Sequence, residues 1–181
     1  MTPLPEIRSL IQRARSNRMM LYQLLEQFPG DAWEKRGEDD AWTARQHLQH
    51  LATIDTVTQD LVDTPGTDDV LLGEATLVQR HTAMQALEGE PVDELTRQLD
   101  ESRDAFLASL VALTEERLGR QVIIHRPGVW PPEQRMSLRA YLGAWAEHDA
   151  EHAAAIRQAA TAQLSPTDMA AAARLTRRRR Q

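Results

Sequence analysis

Hydrophobic residues recur every three or four positions from about Leu4 to Phe28, which predicts a first amphipathic helix. Its apolar stripe is formed by Ile7, Ile11, Ala14, Leu21 and Leu25. Pro29 and Gly30 end the segment. Arg18 interrupts the stripe. Such a side chain either extends along its methylene groups to solvent or faces a pocket, where it could bind an anionic group of a substrate.

A second helix is predicted from Thr43 to about Val62, because Thr43 can cap it and Gln46, three residues later, completes a capping box. His50 lies on the apolar stripe of this helix, together with Ile54, Val57 and Leu61. His47 lies one turn earlier and about 60° around the helix. His50 is therefore expected to face the core, with His47 as a reserve ligand or a supporting group.

Two more long helices are predicted, over about 91–118 and about 133–163. The connection 64–91 carries a mixed signal for one or two short helices. Prolines exclude a helix from much of 119–135, where a short extended piece could form and Trp130 could pack over an end of the bundle. The pattern predicts an all-α four-helix bundle, in which the long connection between the second and third helices can cross the bundle and let them run parallel.

The last long helix contains His148-Asp149-Ala150-Glu151-His152. Histidines four residues apart on a helix project from one face, about 40° apart, which allows both imidazoles to reach one metal ion. The same stripe carries Tyr141, Trp145, Ala155 and Ala159, so the pair points towards the core. The alternative is a pair of core histidines hydrogen-bonded to carbonyls or carboxylates. Open metal sites commonly use three protein ligands, and His50 supplies a third.

Composition narrows the chemistry of such a site. The chain has 181 residues, 41% of them hydrophobic and 27% charged, which suits one domain with a proper core. It has no cysteine, so a metal site must use nitrogen and oxygen ligands. Three imidazoles favour zinc, nickel, cobalt or iron as a divalent ion. His81 is expected to be a surface or packing residue, and His125 a structural residue that could border a pocket.

Charge and segment patterns indicate where the protein acts. No apolar run approaches membrane-spanning length and the N-terminus lacks a signal-peptide pattern, so we expect a cytoplasmic protein. The net charge is -6, and the body is more acidic still because Arg174 and Arg177 to Arg180 lie in the tail. An acidic body makes nucleic-acid binding an unfavoured role for this chain, and the arginine-rich tail is expected to be dispensable for folding.

The order and spacing of three motifs resemble the DinB-like (YfiT-like) family of metal-dependent enzymes. These motifs are Trp42-Thr43 at a helix start, His50-Leu51 further along the same helix, and His148 to His152 on the last long helix. The resemblance spans roughly Leu4 to Ala162. We therefore divide the chain into a four-helix bundle, 1–164, and a C-terminal short helix with the arginine-rich tail, 165–181.

The resemblance implies an up-down-down-up bundle in which His50, His148 and His152 bind a divalent metal ion. It also implies that the chain forms a homodimer. Related enzymes use a low-molecular-weight thiol, as in mycothiol-dependent maleylpyruvate isomerase and the bacillithiol transferases. Asp149 matches the family pattern as well, but helical geometry turns it about 100° away from His148 and gives it a packing role.

The resulting hypothesis is a transferase or hydrolase in which the metal ion activates a thiol cosubstrate or water for attack on a small-molecule substrate. Glu151 and Asp55 are the carboxylates nearest the histidine stripes. Either could orient a ligand histidine or act as a base, or both could be ordinary surface charges. The competing hypothesis is a non-catalytic bundle, in stress response for example, that holds a structural metal ion or binds a small molecule.

Overall fold

A computed structural model describes residues 2–37, 40–66, 68–125, 128 and 131–161 of the chain. The helices in this part are α1 (Pro5–Glu26), α2 (Ala44–Asp63), α3 (Glu74–Ala86), α4 (Val92–Leu110), α5 (Glu115–Gly119) and α6 (Leu138–Thr161). The strands are β1 (Val70–Leu72), β2 (Gln121–His125) and β3 (Glu133–Ser137). The predicted tail, 165–181, and Trp130 lie outside the described residues.

Two pairs of long helices run parallel. In α1 and α6, Glu6 pairs with Arg139 near both starts, and Arg13 pairs with Glu147 further along. Between α2 and α4, the Arg45 side chain bonds the Glu90 carbonyl at the beginning, and Ser109 reaches Asp63 at the end.

The two parallel pairs point in opposite directions. His47 of α2 meets His152 of α6, whereas Asp55, two turns later in α2, meets Trp145, two turns earlier in α6. Helices α1, α2, α4 and α6 therefore form a four-helix bundle with up-down-down-up order, which confirms the expected fold. β1 and α3 lie between α2 and α4 in chain order.

The start of α2 forms as its local sequence predicts. The Gln46 backbone N–H donates to the Thr43 hydroxyl at 3.3 Å, and the Thr43 backbone N–H donates to the Gln46 side-chain oxygen at 2.9 Å. This capping box satisfies two backbone donors that the first helical turn leaves without partners. It also fixes the helix start just ahead of His47 and His50.

Two helix boundaries differ from the prediction. The third long helix ends at Leu110, and Thr114 caps a separate helix, α5, so the predicted continuous helix to Leu118 is wrong. The last helix begins at Leu138 rather than near Glu133, because 133–137 pair with β2 as a strand. Strand formation at such a position depends on the neighbouring strand, which periodicity within one segment does not reveal.

The strands form a small sheet at one end of the bundle, in the order β1-β2-β3. β1 runs parallel to β2 and β3 runs antiparallel to it, with Val122 aligned with Val70 on one side and with Met136 on the other. One face packs on a hydrophobic cluster that includes Val122 and Leu138. The sheet was not expected, apart from the possible extended piece near β2, and it supplies one wall of the candidate site.

None of the described helices is long and apolar enough to cross a membrane.

Candidate metal centre

The structure brings His50, His148 and His152 together from two antiparallel helices. The Nε2 atoms of His50 and His148 are 2.8 Å apart, and those of His148 and His152 are 3.2 Å apart. One ligand atom from each of the three residues lies within 4.8 Å of the other two. Helices α2 and α6 are antiparallel and pack against each other here. The core-facing stripes predicted for the two helices therefore meet at this point.

The arrangement of nitrogens fits a divalent cation. Two nitrogens bound to one tetrahedral zinc ion at about 2.0–2.1 Å lie about 3.4 Å from each other, close to the separations found here. His50 Nδ1 is buried and has no hydrogen-bond partner within the described part of the chain. Since buried polar atoms are normally paired, the His50 imidazole is not fully satisfied by its protein neighbours. The three histidines can therefore hold a divalent metal ion.

His47 lies beside the three histidines and contacts His152 instead of sharing their point of convergence. Its Nδ1 is 2.7 Å from His152 Nδ1, and its Nε2 is 2.7 Å from Asp40 Oδ2. A neutral imidazole carries one N–H. If His47 donates from Nε2 to the Asp40 carboxylate, its Nδ1 can only accept, so His152 donates from Nδ1. The Nε2 lone pair of His152 is then free to bind a metal ion.

The Asp40 carboxylate is kept in its ionised form, which can accept the hydrogen bond from His47. Burial alone would raise the pKa of Asp40, but a hydrogen bond from the Trp42 backbone N–H and the contact with His47 lower it below the ordinary value. Asp40 is therefore an ionised acceptor near neutral pH. The sequence predicted His47 as a reserve ligand or a supporting group. Its contacts with His152 and Asp40 are those of a supporting group.

Trp42 covers the same group of imidazoles. Its ring centroid is 5.1 Å from that of His50 and 6.0 Å from that of His152, to which it is nearly parallel. Trp42 comes immediately before the capping residue Thr43, so the helix start holds the indole against the first turn of α2. This packing shields one side of the centre from solvent.

Burial keeps the three imidazoles neutral. It lowers the pKa of His50 to about 2 and that of His152 to about 3, and the neighbouring histidines add to both shifts. Burial also lowers the pKa of His148, although Glu151 opposes this shift. Neutral imidazoles have a lone pair to offer, which is the state that a metal ligand requires.

Glu151 lies at the open side of the centre. One of its carboxylate oxygens is 3.6 Å from His148 Nδ1, and the side chain is 69% exposed. Such a position allows the carboxylate to orient His148. Because Glu151 also lines the adjacent cavity, it can contact a bound molecule. It is the carboxylate, among the described lining residues, that remains available for acid–base chemistry.

The cavity has a volume of about 630 Å³ and reaches the centre at His50 and His148. Its walls come from α2, α3, α6 and the sheet. The other lining residues are Ile54, Val57, Leu72, Thr76, Leu77, Arg80, Ile124, Gln134, Met136, Tyr141, Ala144, Trp145 and Glu151. A cavity of this size can take a small organic molecule.

Arg18 and Asp55, which the sequence analysis named as candidates for substrate binding or catalysis, lie in a buried network of charges and do not line the cavity. Arg18 donates to Asp149 at 2.8 Å and lies 3.7 Å from Asp55. Arg103 bonds both carboxylates, at 2.6 Å to Asp55 and 3.0 Å to Asp149. Trp145 Nε1 donates to Asp55 at 2.8 Å. Each of the four long helices contributes one charged side chain to this network.

The charges in this network stabilise one another. Burial alone would raise the pKa of Asp149, but Arg18 and Arg103 lower it below the ordinary value. Conversely, burial would lower the pKa of Arg18, and Asp149 raises it. The packing role expected for Asp149 thus takes the form of ion pairs across the bundle.

The remaining histidines lie elsewhere. His81 is exposed on α3, and His125 is exposed at the end of β2. Two residues of the site, Asp40 and Arg80, were not predicted from the sequence. Asp40 lies in the polar loop before α2, and Arg80 lies on α3, whose described residues are all at least partly exposed.

A profile of the DinB superfamily matches residues 13–156, most of the chain and all three histidines of the centre. The chain belongs to the DinB superfamily. No curated protein matches it significantly.

One solved structure supports the fold of this DinB chain. This structure is that of YfiT from Bacillus subtilis, which is described as a probable metal-dependent hydrolase with an unusual four-helix bundle topology. It matches with a TM-score of 0.63 and 19% sequence identity, over 84% of this chain and 85% of that one. At this identity the similarity shows a shared fold.

Proposed function

We propose that this chain is a metal-dependent hydrolase or transferase in which His50, His148 and His152 hold one divalent ion. The observation that carries the proposal is the convergence of the Nε2 atoms of two buried histidines and one half-buried histidine beside a cavity of about 630 Å³. Membership of the DinB superfamily and the description of YfiT as a probable metal-dependent hydrolase support it.

The ligand set limits the identity of the ion. Three neutral imidazoles suit zinc, nickel, cobalt or iron, and they leave the ion its full positive charge. When bound, such an ion supplies Lewis acidity that lowers the pKa of water or a thiol near neutral pH. A thiol must come from a cosubstrate, because the chain contains no cysteine.

The protein groups around the centre have distinct roles in this proposal. His47 and Asp40 hold His152 with its Nε2 directed at the ion. Glu151 accepts a proton from the attacking water or thiol at the open side of the centre. Trp42 and the apolar cavity wall exclude bulk water, which strengthens electrostatic interactions inside the site.

Metal analysis of purified protein tests the binding site. We expect one divalent ion per chain, with tight binding lost in His152→Ala and kept in His81→Ala. His81 is the matched control because it is exposed on α3 and outside the group of imidazoles. Equal metal content in wild type and His152→Ala would contradict the assignment.

A second experiment separates water from thiol as the nucleophile. Cobalt-substituted protein is titrated with small thiols, including bacillithiol and mycothiol, and turnover is measured with an electrophile such as an epoxide and with activated esters. A thiol that changes the cobalt spectrum and is consumed, except in His148→Ala, indicates a transferase. Ester turnover without thiol indicates a hydrolase. If neither occurs with a fully loaded site, a non-catalytic role replaces the proposal.

A further inference from the structure

Arg80 is the cationic side chain among the described residues that line the cavity beside the proposed metal centre. It comes from α3, the short helix that packs against α2 without burying any of its own residues completely. The Arg80 side chain is partly buried, and most of the wall around it is apolar.

The guanidinium of Arg80 has no hydrogen bond or ion pair with any described residue. Three buried arginines of the bundle do have hydrogen-bond partners. Arg18 and Arg103 bond carboxylates, and Arg120 bonds the carbonyls of Leu61 and Thr64. A partly buried guanidinium beside apolar walls normally has an anionic or carbonyl partner. The donors of Arg80 are therefore available to a molecule in the cavity.

Arg80 faces the same space as two of the histidines. Its side chain lines the cavity together with His50 and His148. The cavity thus has an imidazole group at one position, an unpaired guanidinium near it, and aliphatic and aromatic walls between and around them.

From this arrangement we infer that the natural ligand is a small organic anion with an apolar body, whose carboxylate binds Arg80. This inference rests on the proposed function, because it places the reacting group of that molecule towards His50 and His148. Glu151 reinforces the orientation, since a negative charge at the histidine side of the cavity disfavours the substrate carboxylate there. The apolar walls, such as Ile54, Val57 and Met136, contact the body of the ligand.

Calorimetric titration with two probes of equal length tests the inference. Octanoate and octanamide share the same apolar chain and differ in the charge of the head group. The protein is used as purified at pH 8, with its metal content measured in every sample. We expect wild type to bind octanoate at least about tenfold more tightly than octanamide, because charge-assisted bidentate bonds are stronger than neutral ones.

Three variants locate the origin of that preference. Arg80→Gln should reduce it to within about twofold while octanamide affinity stays unchanged. Arg80→Lys should keep part of it, because the charge remains. Arg157→Gln should keep all of it, since Arg157 is exposed on α6 and does not line the cavity.

The inference is overturned if neither probe binds, if wild type does not distinguish them, or if the preference survives in Arg80→Gln. Loss of the preference in Arg157→Gln would also overturn it, because a surface charge would then account for the effect. Failure of the proposed function is a separate result. A protein without bound metal that still prefers octanoate through Arg80 would refute the metal site and leave the ligand class standing.

Discussion

Two clusters of polar side chains lie side by side in this bundle. They differ in whether their polar atoms all have partners within the protein. In the network of Arg18, Asp55, Arg103 and Asp149, each charge meets an opposite charge at 2.6–3.7 Å. The histidine centre instead has Nε2 atoms facing one another and a buried Nδ1 with no partner within the described residues.

This difference distinguishes a polar cluster that stabilises the fold from one that can bind a ligand. Burial and sequence position do not separate the charge network from the histidine centre. Asp149 of the network lies between His148 and His152 in the sequence, and both Asp149 and His152 are buried. What distinguishes them is the remaining capacity to bind. A closed network holds the helices in register, whereas converging lone pairs beside a cavity favour a ligand from outside the chain.

The largest expected effect comes from opening the closed network. Asp55→Ala should lower the free energy of unfolding by about 3–5 kcal/mol, because Trp145 loses its buried acceptor and Arg103 loses one of its two carboxylate partners. Urea unfolding followed by circular dichroism measures the change. Asp63→Ala, an exposed aspartate on the same helix, should change it by less than about 1 kcal/mol. Similar losses for the two variants would contradict the contrast.

Filling the open centre should give the next largest effect. At a free metal concentration of 100 times the dissociation constant, binding should stabilise wild type by about 2.7 kcal/mol, because the unfolded chain lacks the assembled site. His148→Ala should remove this gain. Thermal or urea unfolding with and without zinc measures it, and an equal gain in both proteins would show that zinc binds elsewhere.

The support that His47 gives to His152 should matter less than a ligand itself. His47→Ala should weaken metal binding about 10–100-fold, because His152 loses the acceptor that fixes its Nδ1 proton. His47→Gln should recover part of the affinity, since its amide oxygen can accept a hydrogen bond. Competition titration with a zinc chelator measures the affinity. Unchanged binding in His47→Ala would show that the contact with His152 is incidental.

The smallest effect is expected at Glu151. Its side chain is largely exposed and lies 3.6 Å from His148, so Glu151→Gln should alter the metal-binding free energy by less than about 1 kcal/mol. If Glu151 is the proton acceptor, the same variant should lower turnover far more than binding. Parallel measurement of zinc affinity and kcat separates the two roles. A large loss of affinity with unaffected kcat would reverse the assignment.

Features that depend on local pattern could be predicted before the fold was known. Amphipathic spacing predicted the four long helices, and Thr43 with Gln46 predicted the start of α2, because both signals act within a few residues along the chain. The same spacing placed His50, His148 and His152 on core-facing stripes. The resemblance to the DinB family then supplied the helix order.

Tertiary structure alone decided which side chains meet. Periodicity places Arg18 on an apolar stripe and Asp55 near one, but it does not show that each is buried against an opposite charge on another helix. Likewise, Glu133 to Ser137 became a strand because β2 offered partners distant in sequence, and Asp40 and Arg80 acquired their positions from a loop and a short helix without a strong pattern. Local propensity acts through neighbours along the chain, whereas the partner of a buried group depends on how separate elements pack.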